Sequence, residues 1–579
     1  RAPSSEAFSM SVFVLWVEGV DFGETLFDTG DLSTVRGASL TQLAMPPFAE
    51  ERLKESLGSD NVQSIFSGAS QAAFKLSAAK PDAEKAEAEL GDALGRQGLD
   101  PAAVEKEARA AWRTPGQLPG TAPFAHLRFV TGLVELKGDE KLALAGAQAA
   151  ARFRQLQSSG PRRPPPSKAD AVCAIDRRRP ADTKIWVKKT VDPADRASGE
   201  DEDSSYSARI EVSSSVAARR HYGRWARQRF YPAELRDETA AGLGFADSLH
   251  DIVARPPDNT PLALRTKIAV FYADGNKFGS IRKALAQKKK SAFAAWGTFS
   301  QRLVEQQREK LLKPLVAKFR EKTGNGSTEL KRFAMVNRER RKLPAYLLRL
   351  ETLLWGGDEV TFVVPSWLGW WLAREFFRLT KGWHIEDHPL TFSAGLVFTS
   401  YKTPIRDARE LARTLADIAK AAHPEDAVDA LEVEALESVD PPLDGIEGLR
   451  ERLAGVWKDE RNTDVLTIED IETFWSKIAA CKRAEPRDDS VPRSQIYRIL
   501  RAMAANGGTA GTRGAPALKD YEIYRRRMGR GSEPKSFALT PRLVDEKNFG
   551  LNFYLLAQQW DYIDPFKDEL PAPAAGGRP

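Results

Sequence analysis

One order of elements occurs twice in this chain, and it limits the fold more than any other feature. Near the N-terminus a strand-like run, 11–16, is followed by a helical stretch, 31–57, and by two apolar runs, 62–66 and 71–76, about Ser67-Gly68-Ala69-Ser70. An Ala/Glu/Lys-rich helix at 81–97, a strand at 126–136 and a helix at 141–157 complete the series. From Thr266 the series returns. A buried-type strand, 267–273, leads into a long basic helical region reaching about Lys322, and a hairpin of 349–355 and 360–364 comes next. A helix at 366–380, a strand at 390–398, a helix at 407–422 and a last strand at 428–436 follow, with Leu411, Leu415, Ile418 and Ala419 on one face of the 407–422 helix. An architecture repeated within one chain implies two copies of one supersecondary unit.

Strand, helix, hairpin, helix, strand, helix is a ferredoxin-like, palm-type α+β unit. At 579 residues the chain exceeds what one core supports, and a prior of roughly 150 residues per domain suggests about four domains. The expected division is 1–157 as a first, degenerate palm-like domain, 158–265 as a basic connector, 266–440 as a second palm, and 441–579 as a C-terminal helical domain with a flexible tail. Helical stretches are expected at 445–456, 467–481 and 492–504, while 507–515 and 571–579 are Gly/Ala/Pro-rich and expected to be mobile.

The second unit differs from the first in carrying acids at its strand ends. In Trp355-Gly356-Gly357-Asp358-Glu359 the glycines supply the permissive backbone of a tight turn, and the two carboxylates sit at a strand end. Adjacent carboxylates repel, so a site that keeps both ionised suits a divalent cation, and oxygen ligands favour Mg2+ or Mn2+. A solvated turn has the same composition. Asp274 ends the first strand of the unit, which in a palm runs beside the hairpin, so Asp274, Asp358 and Glu359 are expected to converge. Three such acids hold the two metals of nucleotidyl transfer. Gly275, Asn276, Lys277, Phe278 and Gly279 at a helix start offer amides and a counter-charge to a triphosphate, as Gly356 and Gly357 do at the turn. Lys420 is a further phosphate candidate, equally readable as an exposed helix lysine. The first unit's turn, 67–70, has no acid.

Charge points to phosphate-rich partners. The net charge of +6 conceals basic clusters at 177–179, at Arg219, Arg220, Arg224, Arg227 and Arg229, at 288–290 and at 338–342, each of which also suits a solvated face. Two cysteines, Cys173 and Cys481, build neither a disulfide framework nor a four-cysteine zinc site. With no long uninterrupted apolar run and no leader pattern, a cytoplasmic protein without membrane contact is expected. His250-Asp251 is the dipeptide of metal phosphohydrolases, but with six histidines in the chain nothing completes such a site, and a surface or core histidine is the reading.

Ala273-Asp274-Gly275-Asn276-Lys277-Phe278-Gly279 and Trp355-Gly356-Gly357-Asp358-Glu359, followed by Phe392-Ser393-Ala394-Gly395 and Ala419-Lys420, resemble the second palm of the large Csm/Cmr subunit of type III CRISPR effectors, within the wider superfamily of GGDEF nucleotide cyclases. The tandem palms favour the CRISPR branch, and the resemblance extends over the connector and a helical C-terminus bearing Pro492-Arg493-Ser494-Gln495-Ile496-Tyr497-Arg498. It implies a nucleotidyltransferase that polymerises ATP into cyclic oligoadenylate messengers when guide RNA pairs with target RNA, in complex with other type III effector subunits. It implies metal ligation by Asp274 and Asp358, with Glu359 where the family usually has Asp, and triphosphate contact by Lys420. Asn276 stands where the family often has Asp. The connector's zinc cysteines are reduced to Cys173, and no HD nuclease domain is seen, so DNA cleavage is not expected. A GGDEF-like enzyme making cyclic dinucleotides and a catalytically silent RNA-binding scaffold are the rival readings.

Overall fold

The computed structural model describes residues 10–20, 26–96, 124–157, 171–189, 206–236, 243–323 without 247 and 259, 330–336, 346–423, 428–437, 465–483, 496–497 and 549–563. The first unit is a four-stranded antiparallel sheet made of β1 (Ser11–Val20), β2 (Val62–Ser67), β3 (Gln71–Ala78) and β4 (Arg128–Glu135), in the order β2-β3-β1-β4. Val14, Leu15 and Trp16 on the central β1 are fully buried, so this strand reads as an unbroken apolar run. The helix Leu32–Leu57 starts where Asp31 accepts the Thr34 amide at 2.9 Å and stops at Gly58, whose φ of 88° a side chain disfavours. The helices Lys80–Gly91 and Glu140–Gln157 complete the unit.

The connector holds a hairpin of β5 (Thr183–Lys189) and β6 (Tyr206–Val212), a helix Ser214–Leu235, β7 (Leu243–Phe245) and a short helix Leu249–Val253. The 22-residue helix was not anticipated in the sequence, and it changes the meaning of the basic cluster it carries. It crosses the helix Leu32–Leu57 at two glycines: a Cβ on Gly37 would stand 1.7 Å from the Arg219 carbonyl oxygen, and one on Gly223 2.4 Å from that of Ser33. At this close crossing Arg219 donates to Asp28 at 2.8 and 3.1 Å, Arg220 pairs with Asp31, and Arg227 donates to the carbonyls of Phe245 and Ala246. Arg219 and Arg220 fasten the connector to the first unit, Arg227 ties the connector helix to the end of β7, and the three do not form a phosphate-facing surface.

Cys173 is buried against Ile185, Val212 and Val216. In the basic turn beside it, Asp176 accepts the amides of Arg178 and Arg179 and the Arg179 guanidinium, which also reaches Asp28 at 2.5 Å. The His250 ring packs edge-on to Tyr401 at 5.4 Å, while Asp251 forms a capping box with Ser248, so this dipeptide is a core contact and a helix cap.

The second unit comprises β8 (Lys267–Gly275), the helices Phe278–Lys288, Ala292–Glu305 and Lys313–Thr323 with a π-helical segment Gln306–Leu312 among them, β9 (Ala334–Val336), β10 (Tyr346–Leu348), β11 (Glu351–Leu354), β12 (Glu359–Pro365), the helix Gly369–Thr380, a two-residue pair β13 (His384–Ile385) and β14 (His388–Pro389), β15 (Phe392–Ser400), the helix Ile405–Ala421 and β16 (Ala430–Ala435). With β17 (Leu466–Thr467) its six-stranded sheet runs β11-β12-β8-β15-β16-β17. The first four strands repeat the hairpin, first strand and fourth strand order of the first sheet. The first arm of the hairpin, β11 at 351–354, is shorter than the 349–355 reading, and 346–348 just before it belongs to a separate sheet, β7-β10-β9.

Side-chain alternation assigns a helix to each face of the main sheet. A Cβ on Gly369 would meet Phe398 and Ala269, which are register partners, whereas one on Gly395, the partner of Tyr272, would stand 1.9 Å from the Ala412 carbonyl oxygen. Gly369–Thr380 therefore covers the Ala269 face and Ile405–Ala421 the Tyr272 face, the face to which Asp274 belongs.

The helix Ile468–Arg483 packs on Gly369–Thr380 through a Trp370–Phe474 stack at 5.3 Å and paired Arg374–Glu472 contacts at 2.8 Å. The helix Phe549–Gln559 joins it there, where Gln559 accepts from the Trp370 indole at 3.0 Å. The expected helix 445–456, nearly all of 492–504, and the segments 507–515 and 571–579 lie outside the described residues. Among the described residues no helix is long and apolar enough to cross a membrane.

Candidate active site

The two units meet at their hairpin turns. Gly356 and Gly357 have φ of 103° and 67°, and a Cβ on Gly356 would stand 3.1 Å from that of Ala69 in the first unit's turn. Gln307, from the π-helical segment, donates to the Gly357 carbonyl at 2.9 Å. Arg36 and Glu351, 1% and 3% exposed, join the two units through two hydrogen bonds of 2.5 Å. Between the turns lies a cleft of about 720 Å³. Ser67 to Gln71, Gln148 and Arg152 line it from the first unit, and the 354–359 turn, Phe278, Gly279 and Arg409 from the second.

Register brings Asp274 and Glu359 opposite each other on β8 and β12, with Ser393 on the far side of Asp274. Cross-strand partners share a face, so the two carboxylates are neighbours as expected. Asp358, one residue earlier, is exposed in the turn. A helix 11 residues, or three turns, apart supplies a cation to each partner: Lys420 Nζ lies 2.7 Å from Asp274, and Arg409 lies 3.4 Å from Glu359. Arg409 is also stacked over Phe27 of the first unit at 4.5 Å. Burial pushes the Asp274 carboxyl above its usual range against the pull of Lys420, with Asp358 adding to the rise. Burial likewise raises Glu359, opposed by Arg409 and by a hydrogen bond from Tyr272.

The expected three-carboxylate cluster is not closed. Among the described residues no group of three His, Cys, Asp or Glu gathers to hold a metal ion, because Asp358 faces solvent while Lys420 and Arg409 engage the other two acids. The donors nevertheless fit a hard divalent cation. They are all oxygen, two lie on opposed positions, and both of those resist ionisation in their present surroundings.

The proposed phosphate cradle needs correction in part. The Gly275 amide donates to the Asp358 carbonyl and the Asn276 amide to that of Thr391, both at 2.9 Å, so neither is presented to a ligand. Gly275 has no room for a side chain, since a Cβ would stand 2.6 Å from the Phe278 ring. Asn276 is buried, donating to Thr391 and Val428 and accepting from Ser393, which ties β8 to its neighbours. Phe278 is core, edge-on to Phe299 and Phe392. What stays accessible is the first helical turn: Lys277 is exposed at φ 57°, and Gly279 opens on the cleft with nothing near its Cβ position. First-turn amides have no partner within their helix. Lys420, expected at a phosphate, is paired with Asp274 in this structure. Arg409, Tyr272, Arg282 and Gln307 were not singled out in the sequence. Arg409 alone had a readable signal, the three-turn spacing from Lys420.

Residues 267–429 match the family model of the Cas10/Cmr2 second palm domain. No curated protein matches the sequence. Solved structures similar to this chain include Csm1 of T. onnurineus, at 12% identity and a TM-score of 0.49, covering 95% of this chain and 70% of that one. A Csm1–Csm4 cassette in complex with cA4 is similar at 13% and 0.47, covering 94% and 70%, and one in complex with one ATP at 12% and 0.49, covering 96% and 70%. The resemblance read in the strand-end motifs is borne out to this extent: residues 267–429 match the second palm domain of Cas10/Cmr2.

Proposed function

We propose that the chain is the large subunit of an RNA-guided type III CRISPR effector that polymerises ATP into cyclic oligoadenylate, with target RNA bound to guide RNA as the activating signal. The observation that carries this reading is the register pair Asp274–Glu359 beside the exposed Asp358, of which Asp358 and Glu359 line a cleft between two hairpin turns, inside a segment that matches the family's second palm. Csm1–Csm4 cassettes, similar in fold, are described in complex with ATP and with cA4, which agrees with this substrate and product and with a Csm4-type partner subunit. In this reading 1–157 is the degenerate palm, 158–265 the connector, 266–440 the catalytic palm and 441–579 the C-terminal domain.

Asp274, Asp358 and Glu359 would hold Mg2+ or Mn2+, which when bound supplies activation of the attacking hydroxyl and stabilises the departing pyrophosphate. The chain's own part is to position. Asn276 locks the end of β8, and Gln307 and Ala69 hold the glycine turn. Lys420 neutralises Asp274 and is within reach of a triphosphate at that strand end.

Incubating the assembled complex with each labelled nucleoside triphosphate, with and without target RNA, tests the reading. ATP is expected to be converted only with target RNA, and Asp358→Ala to abolish conversion. Undiminished activity in Asp358→Ala would sink it. Use of GTP without RNA would favour the cyclic dinucleotide synthase, and absence of any nucleotide binding the scaffold.

A further inference from the structure

Five arginines line the cleft, and four have an acid. Arg152 lies 3.8 Å from Glu18, Arg406 2.9 Å from Asp407, Arg409 3.4 Å from Glu359 and Arg413 3.3 Å from Glu410. Arg282 is the exception: among the described residues it forms no ion pair, and its Nε is buried without a hydrogen-bond partner. Its Cζ lies over the Trp296 ring, 4.1 Å from the ring centre, and 5.8 Å from the centre of the Phe66 ring. Trp296 belongs to the second unit and Phe66 to β2 of the first, so residues of both units pack against this side chain.

A half-buried guanidinium without a counter-charge is unfavourable until an anion meets it. The planar fork matches phosphate in a bidentate manner, and the Arg282 Nε–H has no partner in this structure. Arg282 is one turn into the helix Phe278–Lys288, whose opening residues Phe278 and Gly279 line the same cleft. The field of Asp358 reaches it and partly offsets the effect of burial on its charge. A ligand with several negative oxygens would thus meet a cation and free amides on one wall, with the strand-end acids beyond.

We propose that Arg282 is a phosphate-anchoring residue of the cleft, binding the polyphosphate of a nucleotide on a guanidinium packed against Trp296 and Phe66. The proposal rests on the nucleotidyl-transfer reading and adds to it a residue outside the strand-end motifs. Because its two ring supports come from different units, the anchor exists only while the units are docked.

Equilibrium binding of ATP, ADP, AMP and adenosine, each with Mg2+, to the full chain tests this. Arg282→Gln should weaken ATP by roughly ten- to hundredfold, the scale of a hydrogen bond to a charged group. AMP should be weakened less, and adenosine not at all. Arg282→Lys, which keeps charge without the fork, should fall between, and Trp296→Phe, which keeps a ring beneath the guanidinium, should lose least. ATP affinity within twofold of wild type in Arg282→Gln would overturn the assignment, as would an equal loss for adenosine, which would mark Arg282 as a support of the cleft wall. Failure of the wild-type chain to bind ATP would instead remove the nucleotidyl-transfer reading itself.

Discussion

The Arg36–Glu351 pair is the most exposed to test among the contacts that dock the two units, since its two side chains are almost wholly withdrawn from water. Replacing Glu351 with Leu removes two hydrogen bonds of 2.5 Å and leaves the Arg36 guanidinium buried without its acid. Breaking a buried pair in this way costs about 3–5 kcal/mol, because the remaining charge keeps its desolvation penalty. With a urea slope of about 2 kcal/mol/M, the unfolding midpoint of the docked units should fall by about 2 M. Replacing both partners, Arg36→Met with Glu351→Leu, removes the stranded charge, and exchange of a buried pair for apolar groups is near neutral or stabilising. The double variant should therefore return to within about 1 kcal/mol of wild type, far from the sum of the two single variants, whereas distant sites add to within about 0.5 kcal/mol. Urea titrations followed by tryptophan fluorescence measure all four proteins. A single-variant shift under about 0.3 M, or a double variant as unstable as the two singles summed, would refute the account of the interface as a desolvated clasp.

Asp429 should give stability an unusual pH dependence. Burial pushes its carboxyl up to about 6 from the usual 3.8, opposed only by the Phe392 amide. The folded state then binds more protons than the unfolded one between these values, so this contribution is present below pH 3.8 and is lost as pH rises through 6. At about 1.36 kcal/mol per pH unit the change is on the order of 3 kcal/mol. Asp429→Asn should accordingly stabilise the chain at pH 8 and not at pH 4, as denaturant titrations at both values would reveal. The two turn glycines should respond differently to alanine. Gly357→Ala meets open space and only the backbone preference of roughly 1–2 kcal/mol, whereas Gly356→Ala also crowds Ala69 and should lower nucleotide affinity, a difference read by paired melting and ATP-binding measurements.

Both sheets were legible because their signals are local. Strands β1, β8 and β15 are buried on two faces and appear as apolar runs, and the acids at 274, 358 and 359 stood out as charges at the ends of such runs. The connector helix was obscured by Pro232 and by arginines whose acids lie on another element, 189 and 191 residues away for Arg220 and Arg219. The phosphate cradle was overstated for the same reason. Whether the Gly275 and Asn276 amides are available depends on the carbonyls of Asp358 and Thr391, and the sequence does not display those partners as neighbours. Arg282 is a cleft residue only through Trp296 and Phe66, which come from different halves of the chain.

The contact between Ala69 and Gly356 ties the history of one unit to the chemistry of the other. A turn without acids, in the half of the chain that carries no recognisable chemistry, is the surface against which the acidic turn is shaped. Selection acting on the acidic turn therefore reaches residue 69, although that residue need never touch a nucleotide. Among descendants of this gene, position 69 should be confined to Gly, Ala or Ser, and a larger side chain there should arise only together with a change at 356.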